Sequence, residues 1–377
     1  MKPSIKSLFL AGMAVAVACV GCKSTTSNAQ NEEVQSSTPK EVLAARLASM
    51  ASSGKVAFGQ HDAVAYGHNW RGEADRSDVK EVVGDLPAIL NWDLGLIEVD
   101  SVNELDGVPF EFIRNEAVKH NAAGGINTFS WHVLNPKTHG NSWDVKSGDV
   151  VTEVVTEGTP LNDSMKVWMG KAADFLLTLK DADGELIPIV FRPWHEHTGG
   201  WFWWGVPNTN PDSYKKLWAM TRKVFDEKGL GDNVLWAYSP DKIADEAEFF
   251  EAYPGDEYVD ILGTDVYAFD GAEGIEQYRE RVNRNLSIAT QYAQKTGKLA
   301  AFTETGMEGV VVPDWYTAVL LPLLEKYPVS YVTVWRNAPQ DENPGHFYAP
   351  FKGHPAEESF KAFYANDSIL FLNDIKK

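Results

Sequence analysis

Eight short apolar runs, separated by segments long enough to hold helices, are the feature that most constrains the fold of this chain. Each run has the length and composition of a strand that is buried on both faces. The runs are Lys55–Gln60, Ala88–Trp92, Gly125–His132, Leu186–Phe191, Val234–Tyr238, Ile261–Val266, Leu299–Thr303 and Ser330–Trp335. The segments between them with helical periodicity are Pro109–His120, Asp163–Leu179, Pro211–Lys228, Glu276–Thr296 and Trp315–Glu325. Eight strands joined by helical crossovers predict an α/β fold, a closed parallel (β/α)8 TIM barrel.

An open, doubly wound sheet is the alternative arrangement for such an alternating chain. A nucleotide-binding fold of that kind carries a glycine-rich phosphate turn after an early strand, and this sequence has none. No second linker, low-complexity run or internal repeat follows Glu41. We therefore expect one catalytic domain over residues 41–377.

Polar and aromatic residues stand where each apolar run ends. The carboxyl ends of barrel strands converge on one face, so these side chains are expected to gather in one cleft. Any one of them alone would be read as a structural polar residue, but their repetition at all eight ends favours a site. They are Gln60–Asp62, Asn91–Asp93, Trp131–His132, Arg192–Glu196, Tyr238–Ser239, Asp265–Tyr267, Glu304 and Trp335–Asn337.

The segment Leu186–Gly205 contains the clearest of these strand ends. Its apolar first half turns into Arg192, His195 and Glu196, and four aromatic residues follow at 201–204. Sugars place their apolar C–H faces against aromatic rings, while their hydroxyls need polar partners. This combination is typical of the floor of a carbohydrate cleft.

Two glutamates are candidates for acid–base chemistry. Glu196 ends the fourth run and Glu304 ends the seventh, so both should lie at the barrel mouth. Glycoside hydrolysis requires two carboxyl groups, one to protonate the leaving oxygen and one to attack or activate water. Arg192 is expected to hold Glu304 ionised, whereas the tryptophans beside Glu196 should raise its pKa. The plainer alternative is that one glutamate merely pairs with Arg192.

Three motifs resemble glycoside hydrolase family 26, a (β/α)8 family dominated by β-mannanases. They are RPWHEHTGGWFWWG at 192–205, FTETG at 302–306 and SWHVLNP at 130–136, within a resemblance that covers residues 41–377. The resemblance implies a retaining double displacement with Glu196 as acid/base and Glu304 as nucleophile. His195 stands where related barrels carry asparagine, as this family's pattern requires, and His132 resembles the histidine on the glycone side.

Further substrate-binding residues are implied by the same resemblance. Trp201 resembles the family's stacking residue near the scissile bond. Tyr267 resembles the tyrosine that hydrogen-bonds the nucleophile, with Asp265 beside it. Trp335 resembles the platform under the −1 sugar, and Arg336 reaches towards the −2 sugar.

Charge and residue usage exclude several other classes of function. The formal net charge of −19 opposes binding to nucleic acid and fits a neutral substrate. The only cysteines, Cys19 and Cys22, leave residues 23–377 without a cysteine nucleophile or a cysteine metal cluster. His195 and His197 are too few to bind a metal unless His61 and His132 join them, so we predict no metal and no cofactor.

The N-terminus resembles a bacterial lipoprotein signal. Basic residues precede the apolar run Leu8–Val20, and small residues lead to Cys19 and Cys22. We predict a signal peptide over residues 1–22 with lipidation at Cys22, because a polar tract over residues 23–40 follows it and reads as a disordered tether. An ordinary secretory signal is the alternative. The protein is expected to be exported and lipid-anchored to the bacterial cell envelope.

The leading hypothesis is a retaining β-1,4-mannanase that acts on mannan, galactomannan or glucomannan as a monomer. Within the family, β-1,3-xylanase or mixed-linkage β-glucanase activity would use the same carboxyl pair with other subsite loops. A non-catalytic glycan-binding lipoprotein is the competitor from another class, although it would not need two glutamates across one cleft. Endo and exo action stay open.

Overall fold

Eight parallel strands form a ring at the centre of the structure, a computed structural model that describes residues 37–376. The strands are β1 Val56–His61, β2 Ile89–Asp93, β3 Ile126–Ser130, β4 Ile189–Arg192, β5 Val234–Tyr238, β6 Ile261–Leu262 with Asp265–Ala268, β7 Leu299–Ala300 with Phe302–Met307, and β8 Tyr331–Val334. Strands β6 and β7 are each interrupted and therefore consist of two parts.

The ring is closed by pairing between its first and last strands. Strand β1 pairs in parallel with both β2 and β8. Strands β6 and β7 pair twice, first through Ile261 with Leu299 and then through Asp265 with Glu304. Neighbours in sequence are thus neighbours in space around the whole ring, and the predicted (β/α)8 fold is confirmed.

Helices surround the ring and occupy the predicted crossovers. They are α1 Pro39–Ser52, α2 Asp78–Val83, α3 Phe110–Ala122, α4 Val150–Val154, α5 Pro160–Leu176, α6 Pro211–Glu227, α7 Glu246–Glu251, α8 Ile275–Thr296, α9 Leu321–Lys326 and α10 Glu357–Tyr364. Local sequence sets several starts: Thr159 and Asn210 cap α5 and α6, and a proline follows each at the first helical position. The segment predicted as one helix from Trp315 is a π-helix, Trp315–Leu320, followed by α9.

Alternation along the strands sorts their apolar side chains into two layers. Val190 and Ala301 belong to the cluster inside the barrel, whereas Phe191 and Phe302 pack in the layer beneath the helices. Helix α1 contributes Leu47 to the inner cluster and so covers that end of the barrel. The opposite end is left for polar strand ends and loops.

Helix α1 begins two residues before the predicted domain boundary. The Thr38 hydroxyl accepts a hydrogen bond from the Glu41 amide, the Thr38 amide donates one to the Glu41 carboxylate, and Pro39 starts the helix. The last residues of the predicted tether therefore belong to the folded part. The rest of that segment, the predicted signal peptide and Cys22 lie outside the described residues. Within residues 37–376, no helix is both long and apolar enough to span a membrane.

Candidate active site

Arg192 occupies the last position of β4 and connects three strands. Because Val190 points into the barrel, alternation points Arg192 the same way, and its side chain is only 3% exposed. One terminal nitrogen donates to Asp265 Oδ2 at 2.6 Å and the other donates to Glu304 Oε2. Burial opposes the charge of Arg192, but Asp265 and Glu304 raise its pKa overall. The guanidinium is therefore a fixed cation beneath the cleft.

A bulge in β7 turns Glu304 towards this cation. The register between β7 and β8 shifts between Phe302 and Thr305. Thr303 donates to Asp265 inside the barrel at 2.7 Å, whereas Thr305 meets Tyr278 of α8 on the outside at 2.7 Å. If side chains simply alternated along β7, Glu304 would point out of the barrel, as Phe302 does. The bulge keeps Thr303 and Glu304 on the inner side, the way bulges commonly re-aim active-site residues.

Strand β6 supplies two further groups around Glu304. The Tyr267 hydroxyl donates to Glu304 Oε1 at 2.5 Å, so both carboxylate oxygens accept hydrogen bonds. Asp265, the register partner of Glu304, also accepts from the Ser239 hydroxyl at 3.0 Å. Burial raises the pKa of Asp265 to about 8, although Arg192 opposes that shift. Glu304 is thus held in place by groups from β4 and β6.

Glu196 lies in the turn after β4, and the groups around its carboxyl differ from those around Glu304. Trp194 and Glu196 both adopt positive φ, 55° and 53°, a backbone strain that is concentrated at functional sites. The Glu196 amide donates to the Ser239 carbonyl at 2.8 Å, and Trp201 Nε1 donates to Glu196 Oε2 at 2.7 Å. Burial, then the charges of Glu304 and Asp241, raise the pKa of Glu196 well above its ordinary value. This is the direction expected from its sequence neighbours, and it keeps a proton on Glu196.

Two histidines and an aspartate form a chain on another wall of the cleft. His132 Nδ1 lies 2.7 Å from Asp93 Oδ2, and its Nε2 lies 3.1 Å from His195 Nε2. Burial works against ionisation of Asp93, but His132 and its backbone amide hold the pKa of Asp93 at about 2. Burial and Arg192 lower the pKa of His195 well below its usual range. His195 is therefore neutral and can act as a hydrogen-bond partner.

The four aromatic residues at 201–204 divide between cleft and core. Trp201 and Phe202 line the cleft. Trp203 and Trp204 are buried, and their indole nitrogens donate to the carbonyls of Val133 and His195. Adjacent aromatic residues cannot all face one side, so Trp203 and Trp204 pack in the core instead of the cleft.

These walls enclose a cleft of about 320 Å³ at the barrel mouth. Seven of the ten predicted site residues line it: His132, His195, Glu196, Trp201, Tyr267, Glu304 and Trp335. Arg192 and Asp265 support Glu304 from below without lining the cleft. Arg336 borders an adjoining hollow instead, where it lies 3.1 Å from Asp106.

Five further residues line the cleft that the sequence patterns did not predict: Trp143, Asp241, Lys242, Phe269 and Tyr348. Phe269 follows Tyr267 by two residues, so strand periodicity could have found it. Asp241 and Lys242 follow the end of β5 closely. Trp143, 48% exposed and stacked on His132, and Tyr348 come from long loops that give no local signal.

Among the described residues, one cluster of side chains has the types of atoms that bind metal ions. His61, Asp62 and Asp106 bring ligand-type atoms within 4.8 Å of one another. Arg336 already ion-pairs with Asp106, and the Tyr66 hydroxyl donates to Asp62 at 2.6 Å. Protein groups thus supply the positive charge and hydrogen bonds that these carboxylates need.

The cleft combines a carboxyl group that retains its proton with a second carboxyl group paired to a cation. Glu196 can donate a proton, and Glu304 is aimed into the same space by Arg192 and Tyr267. Flat aromatic rings flank both groups. Acid-assisted displacement at an acetal carbon of a sugar needs this set of groups.

Comparison with known proteins agrees with this chemistry. The sequence model of glycosyl hydrolase family 26 matches residues 31–310. Mannan endo-1,4-beta-mannosidase of Bifidobacterium adolescentis is 28% identical over 341 residues, which are 86% of this chain and 34% of that protein. Mannan endo-1,4-beta-mannosidase of Bacillus subtilis is 30% identical over 270 residues, 69% of each chain. The chain thus spans about a third of the first relative's length.

A solved structure extends the likeness to three dimensions. The family 26 β-mannanase of Bacteroides ovatus is 44% identical and superimposes with a TM-score of 0.84. The match covers 90% of this chain and 98% of that one.

Proposed function

Because the chain belongs to glycosyl hydrolase family 26, we propose that it hydrolyses β-1,4-linked mannan, including galactomannan or glucomannan, by a retaining double displacement. The observation that supports this most is the unequal carboxyl pair. Glu196 has a raised pKa beside Trp201, whereas Glu304 accepts hydrogen bonds from Arg192 and Tyr267. The relatives from Bifidobacterium adolescentis, Bacillus subtilis and Bacteroides ovatus, named as mannanases, support the substrate.

In the first step, a Glu304 oxygen attacks the anomeric carbon while the glycosidic C–O bond breaks. Glu196 passes its proton to the departing oxygen, and a glycosyl ester remains on Glu304. In the second step, Glu196 takes a proton from water, which attacks the same carbon and releases Glu304. The configuration is inverted twice and therefore retained.

The charge distribution suits this change of role. The negative charge of Glu304 is one of the causes that raise the pKa of Glu196. Ester formation removes that charge, so the pKa of Glu196 falls when it must begin to act as a base. The same pair of residues can thus serve both steps.

The remaining predicted residues position the sugar in this proposal. Trp335 supports the −1 ring and Trp201 lies beside the scissile bond. His132 and His195 hydrogen-bond sugar hydroxyls on the glycone side. Arg336, held by Asp106 in the adjoining hollow, contacts the −2 sugar.

A product time course tests both substrate and mode. Mannan, galactomannan, glucomannan, β-1,3-xylan and mixed-linkage β-glucan would each be incubated with the purified protein and the products separated. We expect oligosaccharides from the mannans alone. Hydrolysis of β-1,3-xylan or β-glucan in their place would assign the other activities known in the family, and binding without hydrolysis would indicate a glycan-binding protein. Early release of mixed lengths would show endo action, and early release of one short product would show exo action.

A second experiment tests the role of Glu196. Glu196→Ala should reduce kcat on mannooligosaccharides far more than on aryl β-mannosides, because a good leaving group needs no proton. Equal losses on both substrates would contradict the acid/base assignment.

We also propose that the protein is exported and anchored to the cell envelope through a lipid on Cys22, and that it acts as a monomer without nucleic-acid partners. The supporting observations are the N-terminal pattern and the net charge of −19. An anchored enzyme of this kind would act on mannan chains or fragments that reach the envelope.

A further inference from the structure

We propose that Phe269 and Lys242 form a binding subsite for a sugar on the leaving-group side of the cleft, beyond the sugar that contacts Trp201. The ligand is a neutral, β-1,4-linked hexose of the substrate chain. This inference rests on the proposed function and extends it to residues that neither the motifs nor the comparisons assign.

The order of strands separates the two sides of the cleft. Glu196 follows β4 and Glu304 lies on β7, so they divide the ring into two arcs. One arc, formed by β8, β1, β2 and β3, carries Trp335, Arg336 and His132, the proposed glycone residues. The other arc contains only β5 and β6. A chain that crosses the catalytic pair must therefore leave along the ends of β5 and β6.

Phe269 offers a sugar platform on this second arc. It follows the end of β6, lines the cleft and is 57% exposed. Its ring centroid lies 6.4 Å from that of Tyr267, which contacts Glu304. A large apolar ring left open beside a carbohydrate site suits stacking against the C–H face of a pyranose.

Lys242 offers a hydrogen-bond donor near the same platform. It lies just after β5, and its Nζ is 5.1 Å from the centre of the Trp201 ring. Among residues 37–376, Lys242 forms neither an ion pair nor a side-chain hydrogen bond, so its three N–H groups are available to hydroxyls. Because Trp201 itself donates to Glu196, Lys242 stands on the side from which the leaving oxygen takes its proton.

The surface continues beyond these two residues. A hollow of about 410 Å³ shares Asp241, Lys242 and Phe269 with the cleft. Gln277 and Arg281 also line this hollow, and the Arg281 guanidinium lies 6.0 Å from the centre of the Phe269 ring. The cleft and the hollow thus form one groove with room for another sugar and polar groups along it.

The test compares substrates that do and do not occupy this groove. Phe269→Ala in the full chain should lower kcat/KM for mannopentaose about three- to tenfold, the size expected for a lost aromatic platform. Hydrolysis of a dinitrophenyl β-mannobioside should change less than about twofold, because its leaving group is not a sugar. Phe269→Tyr, which keeps the ring, should retain wild-type values on both. Lys242→Ala should show the same selectivity as Phe269→Ala.

Val167→Ala, which changes a side chain 59% exposed on helix α5 outside the barrel, serves as the control for loss of surface apolar area. Equal losses on both substrates would overturn the subsite, since they indicate a structural role for Phe269. Unchanged values on both substrates would overturn it as well. If the wild-type protein hydrolysed neither substrate, the proposed function itself would fail, and that outcome differs from the other two.

Discussion

At the scale of single residues, the two carboxyl groups of the cleft differ in what surrounds them. Glu304 has a cation and a hydroxyl on its oxygens, whereas Glu196 has one indole donor and nearby negative charge. The sequence predicted both glutamates at the barrel mouth, and both line the cleft there. The bulge that directs Glu304 inward was not predictable, because it depends on pairing with β8 rather than on local sequence.

Asp241 provides a test of how the proton on Glu196 is held. Its negative charge raises the pKa of Glu196, so Asp241→Asn should lower that pKa. The alkaline limb of kcat/KM, where Glu196 loses its proton, should then move to lower pH. Burial raises the pKa of Asp241 itself to about 6, so the two enzymes should differ mainly above that pH.

The measurement is a pH profile with an oligosaccharide substrate that needs the acid. Asp163→Asn, an exposed change of the same charge on α5, is the control and should leave the profile in place. An alkaline limb that stays fixed or moves to higher pH in Asp241→Asn would contradict the electrostatic account.

At the scale of elements, the positions of strands and helices were more predictable than their ends. The fourth run was expected to start at Leu186, but β4 starts at Ile189, since Leu186 forms an isolated bridge with Lys180. The seventh was expected to stop at Thr303, yet β7 continues to Met307. Within this extension Glu304 faces the barrel mouth, where burial does not require an apolar side chain.

Gly306 shows how β7 is fitted to its surroundings. A Cβ at this position would lie 2.4 Å from Cδ1 of Tyr348, which cannot be accommodated without movement. Gly306→Ala should therefore reduce the free energy of unfolding by about 1–3 kcal/mol. It should also lower activity, because the same strand carries Glu304 two residues earlier.

Thermal or urea unfolding of the purified variants measures this effect. Gly170→Ala is the matched control: it lies within α5, and the nearest atom to its added Cβ, Lys228 Cε, is at an ordinary 3.7 Å. That variant should be neutral or slightly stabilised, since alanine favours helix. Equal stability of both variants would contradict the packing argument.

At the scale of the whole molecule, the alternation of runs and crossovers was enough to predict the closed barrel. Cleft residues that follow the strands were more predictable than cleft residues that belong to long loops. Trp143 and Tyr348 reach the cleft from loops, and their approach depends on the complete fold. Sequence periodicity extends only along one element, so it cannot show which loops meet.

The proposed anchor concerns the whole molecule and has a direct test. In a bacterial host that lipidates exported proteins, labelled palmitate should be incorporated into the wild-type protein and into Cys19→Ala, and both should fractionate with membranes. Cys22→Ala should lose the label and leave the membrane fraction. Loss of label in Cys19→Ala alone would move the anchor to Cys19, and absence of label in the wild type would indicate an ordinary secretory signal.

The central claim is that Glu304 is the nucleophile of a retaining β-mannanase. Replacing it with alanine should lower hydrolysis of a dinitrophenyl β-mannobioside by about a thousandfold or more. Glu304→Gln and circular dichroism would establish that the loss is not one of folding.

Azide added to Glu304→Ala is the most direct measurement, because azide can enter the space left by the carboxylate and attack the same face of the sugar. We predict restored release of dinitrophenol and an α-configured mannobiosyl azide, identified by NMR. Unimpaired hydrolysis by Glu304→Ala, or an impaired variant from which azide yields no such adduct, would contradict the account.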